Sequence, residues 1–312
     1  MEPRATSIQS RVLLDLFEQY AARPFVFVRP GGNAGDHLIY LGAEKLARHA
    51  GLRFTTVTHE AFMEQQYERD TVIYIHGSGG YNPIWSGKPM ESLRHAAAHR
   101  GVVIQGPSTF WDDLAFLRAR IQGSIQAATC ERLVLMARER VSYGILHEVC
   151  PSDTEIFLDH DTALNLQRED INELVPLRKG AYKLYAIRED KEAQEPENRE
   201  YFSPWLDPVR HGGSFEGWVR LHAGANELIT NRLHSSILGS ILGIPTTLLP
   251  NSYFKNRAIW EYSLKDRGVK WMERLAVGTP SRVIHQFEPA RRLMRRMRVQ
   301  RFVARLHGVS PK

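Results

Sequence analysis

Glu227-Leu-Ile-Thr-Asn-Arg-Leu-His-Ser-Ser-Ile-Leu-Gly-Ser-Ile-Leu-Gly-Ile-Pro-Thr-Thr-Leu-Leu-Pro250 reads, without a break, as strand, polar junction, helix, turn and strand. Leu228-Ile229 is short enough for a buried strand, and Leu233 to Leu242 is long enough for a helix. Gly243-Ile-Pro245 turns the chain into a second strand, Thr246 to Leu249. Arg232 and His234 are therefore expected at a strand-to-helix junction. Open α/β sheets bind ligands there, and a helix N-terminus favours an anion. An arginine and a histidine two residues apart suit a phosphate or carboxylate ligand and a proton donor.

The same alternation extends towards the N-terminus. Phe25–Val28, Arg53–Val57, Thr71–Ile75, Val102–Gln105, Leu133–Met136 and Ile156–Leu158 are apolar runs of strand length, each followed by glycine or polar residues. Lys183–Ile187 restarts the pattern, and the charged stretch Arg188 to Glu200 has little periodicity, as a surface loop would. Ser7 to Tyr20 reads as an amphipathic helix, with Thr6 and Gln9 as a capping box. The expectation is an α/β protein of two Rossmann-like domains with parallel sheets and a cleft between them. Residues 1–172 form the first, 173–286 the second, and 287–312 a basic C-terminal helix or tail.

Bulk properties narrow the classes. A chain of 312 residues exceeds one ordinary core, and 43% hydrophobic with 24% charged residues is typical of a globular protein. Cys130 and Cys150 form neither a disulfide framework nor a metal-ligand spacing, which fits a reducing cytoplasm. No apolar run approaches the about 20 residues that cross a bilayer, and no signal peptide is expected. The net charge of +6 favours anionic partners. Much of it lies in Arg291, Arg292, Arg295, Arg296, Arg298, Arg301 and Arg305. Aromatic residues hardly interleave with these arginines, which argues against nucleic acid. Contact with anionic headgroups, at the inner face of the plasma membrane, is the alternative to a solvated helix.

Two glycine-rich turns stand out in the first half. Gly31-Gly-Asn-Ala-Gly-Asp36 lies between strand and helix, but it is neither a Walker loop nor a dinucleotide fingerprint. Its backbone N–H groups could approach an anion or sugar, which makes Asn33 and Gly35 candidate contacts. Gly77-Ser-Gly-Gly80 follows a buried strand. Gly79 and Gly80 would admit a substrate to the backbone, and Tyr81 and Trp85 could stack on a sugar. Arg138, Arg188 and Arg232 each follow a strand, where a guanidinium can hold a carboxylate or phosphate through two bonds. His211, His222 and His234 lack zinc spacing, so no structural metal is expected.

Taken together, these segments resemble the polysaccharide pyruvyl transferase family from about residue 30 to 265. Gly32-Asn-Ala-Gly-Asp-His-Leu-Ile39 is similar to its first-loop motif. Ile75-His-Gly-Ser-Gly-Gly80 is similar to its second glycine loop, with His76 and Ser78 replacing glycines. Ala137-Arg-Glu-Arg-Val-Ser142, Asp161-Thr-Ala-Leu164 and Arg188-Glu-Asp-Lys-Glu192 match further elements. Thr230-Asn-Arg-Leu-His234, Gly243-Ile-Pro245 and Lys255 match its most recognisable signature. The resemblance implies a fold like the two-domain GT-B glycosyltransferases. It implies transfer of a pyruvyl group from phosphoenolpyruvate to two hydroxyls of a lipid-linked or polymeric glycan, with no redox cofactor and no catalytic metal. On that reading Arg188, Arg232, Leu233 and Lys255 bind the donor, and His234 is the general acid. Asp36 positions or deprotonates the acceptor hydroxyl, although a carboxylate at a helix start also serves as a cap. A nucleotide-sugar glycosyltransferase and a non-catalytic relative are the competing expectations.

Overall fold

A computed structural model describes residues 8–85, 87–177, 180–193 and 205–273. Thr6 and the C-terminal arginines lie outside these residues. The chain splits into two compact units. The first runs to Gln167 and includes Ala258–Ser263; the second holds Arg168–Arg257 and the residues from Leu264 on.

The first unit is built on six parallel strands: β1 (Phe25–Arg29), β2 (Phe54–Thr58), β3 (Val72–Ile75), β4 (Val102–Ser108), β5 (Arg132–Ala137) and β6 (Glu155–Leu158). Their order is β2-β1-β3-β4-β5-β6. The chain thus winds outward from β1 in both directions, and the reversal between β1 and β3 is a topological switch point. Burial follows position in the sheet. β3 and β4 are buried throughout, whereas β2 at one edge is largely exposed. β4 runs three residues past the apolar run that predicts it, because a register shift between Gln105 and Ser108 accommodates Pro107.

One face of this sheet is aromatic. Phe25 and Phe27 alternate along β1 and meet Phe17 of the helix Arg11–Gln19, with Phe17 also edge-on to Tyr74 at 5.1 Å. That helix does not use the expected Thr6–Gln9 box. It starts at Arg11, which puts Gln9 outside its first turn. Asp159, just past β6, supplies the missing acceptor: its Oδ2 takes the Leu13 N–H at 2.8 Å. Burial pushes the Asp159 carboxyl up to about 6.

In the second unit β7 (Tyr182–Ala186), β8 (Ala225–Thr230), β9 (Thr246–Leu248) and β10 (Lys270–Trp271) are parallel in the order β10-β9-β8-β7. The winding is monotonic, so these strands have no switch point. Helices Pro208–Gly212 and Phe215–Ala223 lie between β7 and β8 in sequence, and Leu233–Ile241 links β8 to β9. Gly239 allows that last helix to sit against the sheet: a Cβ there would lie 2.3 Å from Thr246 Oγ1. Among the described residues no helix is long and apolar enough to cross a membrane.

Candidate active site

Strand register assembles the charged residues of the second unit. Ala186 on β7 pairs with Thr230 on β8, so Arg188 and Arg232, each two residues further on, emerge side by side. Two bonds stitch the strand ends: the Thr230 hydroxyl donates to Ala186 O at 2.6 Å, and Arg188 N donates to Asn231 Oδ1 at 2.8 Å. Lys255 follows β9, the next strand over. Asn256 beside it donates to Asn231 O and Leu249 O. Three consecutive strands thus contribute one cation each, and all three side chains are buried.

Carboxylates link the cations into one network. Glu192 accepts from Arg188 Nη1 and, at 2.5 Å, from Lys255 Nζ. Asp190 Oδ2 accepts from Arg188 Nη2 at 3.1 Å and from Arg232 Nη2 at 2.9 Å. Asp207 grips Arg232 with both oxygens, at 2.6 Å from Nε and 2.5 Å from Nη2. Arg188, Arg232 and Lys255 are therefore balanced by Asp190, Glu192 and Asp207, and the cluster is formally neutral. Burial alone would raise the Asp190 carboxyl, but Arg188 and Arg232 outweigh it and hold it below its usual range. Burial would likewise lower Arg188, but Glu192 and Asp190 reverse the sign. At 21% side-chain exposure, Asp190 is the member nearest solvent. Arg232 is also the N-cap residue of helix Leu233–Ile241, so Leu233 and His234 stand in its first turn, Leu233 buried and His234 half-buried.

At the switch point of the first unit the loop chemistry is different. Gly31 and Gly32 have φ of +88° and +134°, a conformation natural to glycine. Asn33 caps the helix Ala34–His49: its Oδ1 accepts from Gly35 N at 2.8 Å, and Asp36 Oδ2 accepts from Asn33 N at 2.7 Å. Asp36 thus forms the return half of a capping box. The second glycine loop follows the adjacent strand β3. Gly80 N donates to Ser78 Oγ at 2.9 Å, and Gly79 O accepts from Asn82 Nδ2 at 2.7 Å. The Lys88 side chain, from the start of the helix Lys88–Ala97, passes over Gly31 while its ammonium pairs with Glu60. His76, fully buried among Phe27, Tyr40 and Tyr74, is pushed well below its ordinary pKa, first by burial and then by Arg29.

One expected acceptor residue is corrected. Tyr81 is 0% exposed; its ring packs on Phe110 and its hydroxyl donates to Gln105 Oε1 inside the sheet. It cannot stack on a sugar. Trp85 remains 42% exposed.

The model of the polysaccharide pyruvyl transferase family matches residues 33–253. The chain belongs to that family.

A curated relative, Pyruvyl transferase 1 of Schizosaccharomyces pombe, is 23% identical over an alignment of 291 residues that covers 79% of this chain and 71% of the relative. A crystal structure of an uncharacterized Klebsiella pneumoniae protein has the same fold, with a TM-score of 0.63 at 18% identity. It covers 84% of this chain and 97% of its own. Family membership makes the protein a pyruvyl transferase.

Several charged residues at the strand ends of this pyruvyl transferase are structural. Arg138 does not line an anion pocket: its Nη1 pairs with Asp161 Oδ2 at 2.7 Å, both side chains about 1% exposed, while Nε donates to Thr109. Glu139 accepts the Val141 and Ser142 N–H groups as a helix cap. Asp161 also caps the turn Thr162–Asn165, which presses on Gly42; a Cβ at Gly42 would lie 1.9 Å from Thr162 O. These residues lock the helix Ala34–His49 into the unit. Asp207 carries no sequence signal of its role beside Arg232. The pair Asp207-Pro208 is a helix-start signal, but its guanidinium partner lies 25 residues away.

Proposed function

We propose that this pyruvyl transferase takes its pyruvyl group from phosphoenolpyruvate and installs it as a cyclic ketal on a sugar of an exopolysaccharide or cell-surface glycan. The observation that carries the reading is the delivery of Arg188, Arg232 and Lys255 from three neighbouring strands into one cluster, beside the helix start that bears His234. The donor has a carboxylate and a phosphate, and cationic N–H groups donate well to both. Arg188, Arg232 and Lys255 hold these two groups, and Leu233 packs at the same helix start. His234 delivers a proton to the methylene carbon, which becomes a methyl group. The first sugar hydroxyl then adds to the cationic centre and loses its proton. The carbon–oxygen bond to phosphate breaks, the arginines offset the charge of the leaving phosphate, and the second hydroxyl closes the ring with loss of a second proton. The sequence requires no redox cofactor and no metal.

The acceptor is assigned to the glycine loops of the first unit, through Asn33, Gly35, Gly79, Gly80 and Trp85. Asp36 orients the reacting hydroxyl with the oxygen not used by its cap. Incubation with labelled phosphoenolpyruvate, and in parallel with labelled nucleotide sugars, tests the donor. Label reaching glycan only from phosphoenolpyruvate is the expected result; label from a nucleotide sugar instead would favour a glycosyltransferase. We further propose that the basic residues beyond Glu288 hold the enzyme on anionic membrane surfaces. Binding to anionic vesicles should weaken with salt. Equal binding by a chain ending at Glu288 would remove that idea.

A further inference from the structure

We infer that Asp207 is a positioning residue of the donor site, fixing which edge of the Arg232 guanidinium faces the donor. The inference rests on the reading of Arg232 as a donor-binding residue. Asp207 is fully buried, and each of its oxygens receives two donors. Oδ1 accepts from Arg232 Nε at 2.6 Å and from Val209 N at 3.1 Å. Oδ2 accepts from Arg232 Nη2 at 2.5 Å and from Glu189 N at 2.9 Å.

The two main-chain donors belong to different segments, the loop after β7 and the helix Pro208–Gly212. They pin the carboxylate independently of the arginine. A pinned carboxylate presents a fork of fixed direction, and a guanidinium docks on it in one orientation. Asp190 takes a further contact at Nη2. The Nε–Nη2 edge is then used in full. Among the described residues no hydrogen bond is made to Nη1, so Nη1 is the edge left for a carboxylate or phosphate of the donor. Without Asp207 the same charge would remain near the site, but its direction would be set only by the more exposed Asp190. Preorganisation of this kind acts on donor affinity more than on the chemical step.

The test is steady-state kinetics with phosphoenolpyruvate for the wild type, Asp207→Asn, Arg232→Gln and the double variant, with Arg232→Lys as a separate probe that keeps the charge but not the fork. Asp207→Asn is expected to raise the donor KM by about thirtyfold or more, with kcat changed by less than about threefold. In the Arg232→Gln background it should add no more than about twofold, because both changes remove one unit. Arg232→Lys should behave like Asp207→Asn. Full multiplication of the two effects, or a wild-type donor KM in Arg232→Lys, would overturn the inference. The lysine variant decides the matter even if Asp207→Asn does not fold. Should the wild type transfer nothing from phosphoenolpyruvate, the proposed donor is wrong. The positioning role is then read from a crystal structure of Asp207→Asn: a guanidinium turned away from residue 207 supports it, and an unmoved guanidinium refutes it.

Discussion

The strand ends of the two sheets handle acidic side chains in opposite ways. In the first unit Asp36, Glu139 and Asp161 close helix and turn starts, and Arg138 is consumed by Asp161. In the second unit Asp190, Glu192 and Asp207 serve as counter-ions, holding three cations from neighbouring strands in a neutral cluster. The first arrangement fixes backbone at a switch point, where Gly31 and Gly32 stay exposed while Gly77 and Gly80 are buried. The second fixes side chains that can hold an anion. A charged motif residue after a strand is thus no guide to chemistry by itself; what decides is whether the charges close into a single buried pair, as Arg138 and Asp161 do, or into a shared cluster, as Arg188, Arg232 and Lys255 do.

The largest expected effect lies in the second unit. His234→Ala should lower the rate of pyruvyl transfer by about 10²–10⁴-fold, the usual contribution of a general acid. Circular dichroism should show an unchanged fold. A rate within tenfold of wild type would remove the proposed proton donor and with it half of the contrast between the units.

Next is the buried pair of the first unit. Arg138→Ala leaves the Asp161 carboxylate buried without its counter-charge, which should lower unfolding free energy by about 3–5 kcal/mol in a urea titration. Arg132→Ala provides the control. That arginine pairs with the half-exposed Glu155, and its loss should cost about 0–1 kcal/mol. Equal losses would mean that the Arg138–Asp161 pair is not the lock described above.

Acid should act on the two units with opposite sign. Asp159 of the first unit titrates at about 6 when folded, against 3.8 ordinarily. The folded state therefore binds its proton more tightly. Stability from this group is complete below pH ~4 and is lost as pH rises through ~6, a change of about 3 kcal/mol. Asp190 of the second unit is held below its usual range. Its contribution is present above pH ~4 and is lost as pH falls further. Between pH 6 and pH 4 the hydrogen-exchange protection factors of the helix Arg11–Gln19, taken relative to the intrinsic exchange rate at each pH, should rise, and Asp159→Asn should abolish that rise. Below pH 4 the loop after β7 should open first.

Much of this contrast could be read from the chain, and the rest fails for identifiable reasons. The six strands of the first sheet are legible because each apolar run ends in glycine or polar residues. The strand-to-helix junction at Arg232 is legible for the same reason. β10 has two residues, too few for a period. The helix Phe215–Ala223 buries Trp218 and His222 together with Val219 and Leu221, a mixed face that hides its spacing. The counter-ions could not be assigned, since the approach of Asp207 to Arg232 depends on the register of β7 against β8 and on the intervening helices. Arg138 and Arg188 look alike in sequence, each following a strand. Only the fold gives one a single buried carboxylate and the other a place in a shared cluster.

The smallest predicted effect concerns two aromatics of the second glycine loop, which the sequence treats as equivalent. Tyr81 lies in the core and Trp85 is substantially exposed, so the two should separate cleanly. Tyr81→Phe removes the bond to Gln105 and leaves a buried acceptor without its donor, lowering stability by about 1 kcal/mol. Its acceptor KM should stay within about twofold of wild type, because the ring is out of reach. Trp85→Ala should do the reverse. Stability should change by less than about 0.5 kcal/mol at this exposure. The acceptor KM should rise about threefold to tenfold if an aromatic stacking contact of about 0.5–1.5 kcal/mol is lost. An acceptor effect from Tyr81 without one from Trp85 would mean that the loop reorganises around the sugar, and the switch point could no longer be treated as a preformed edge.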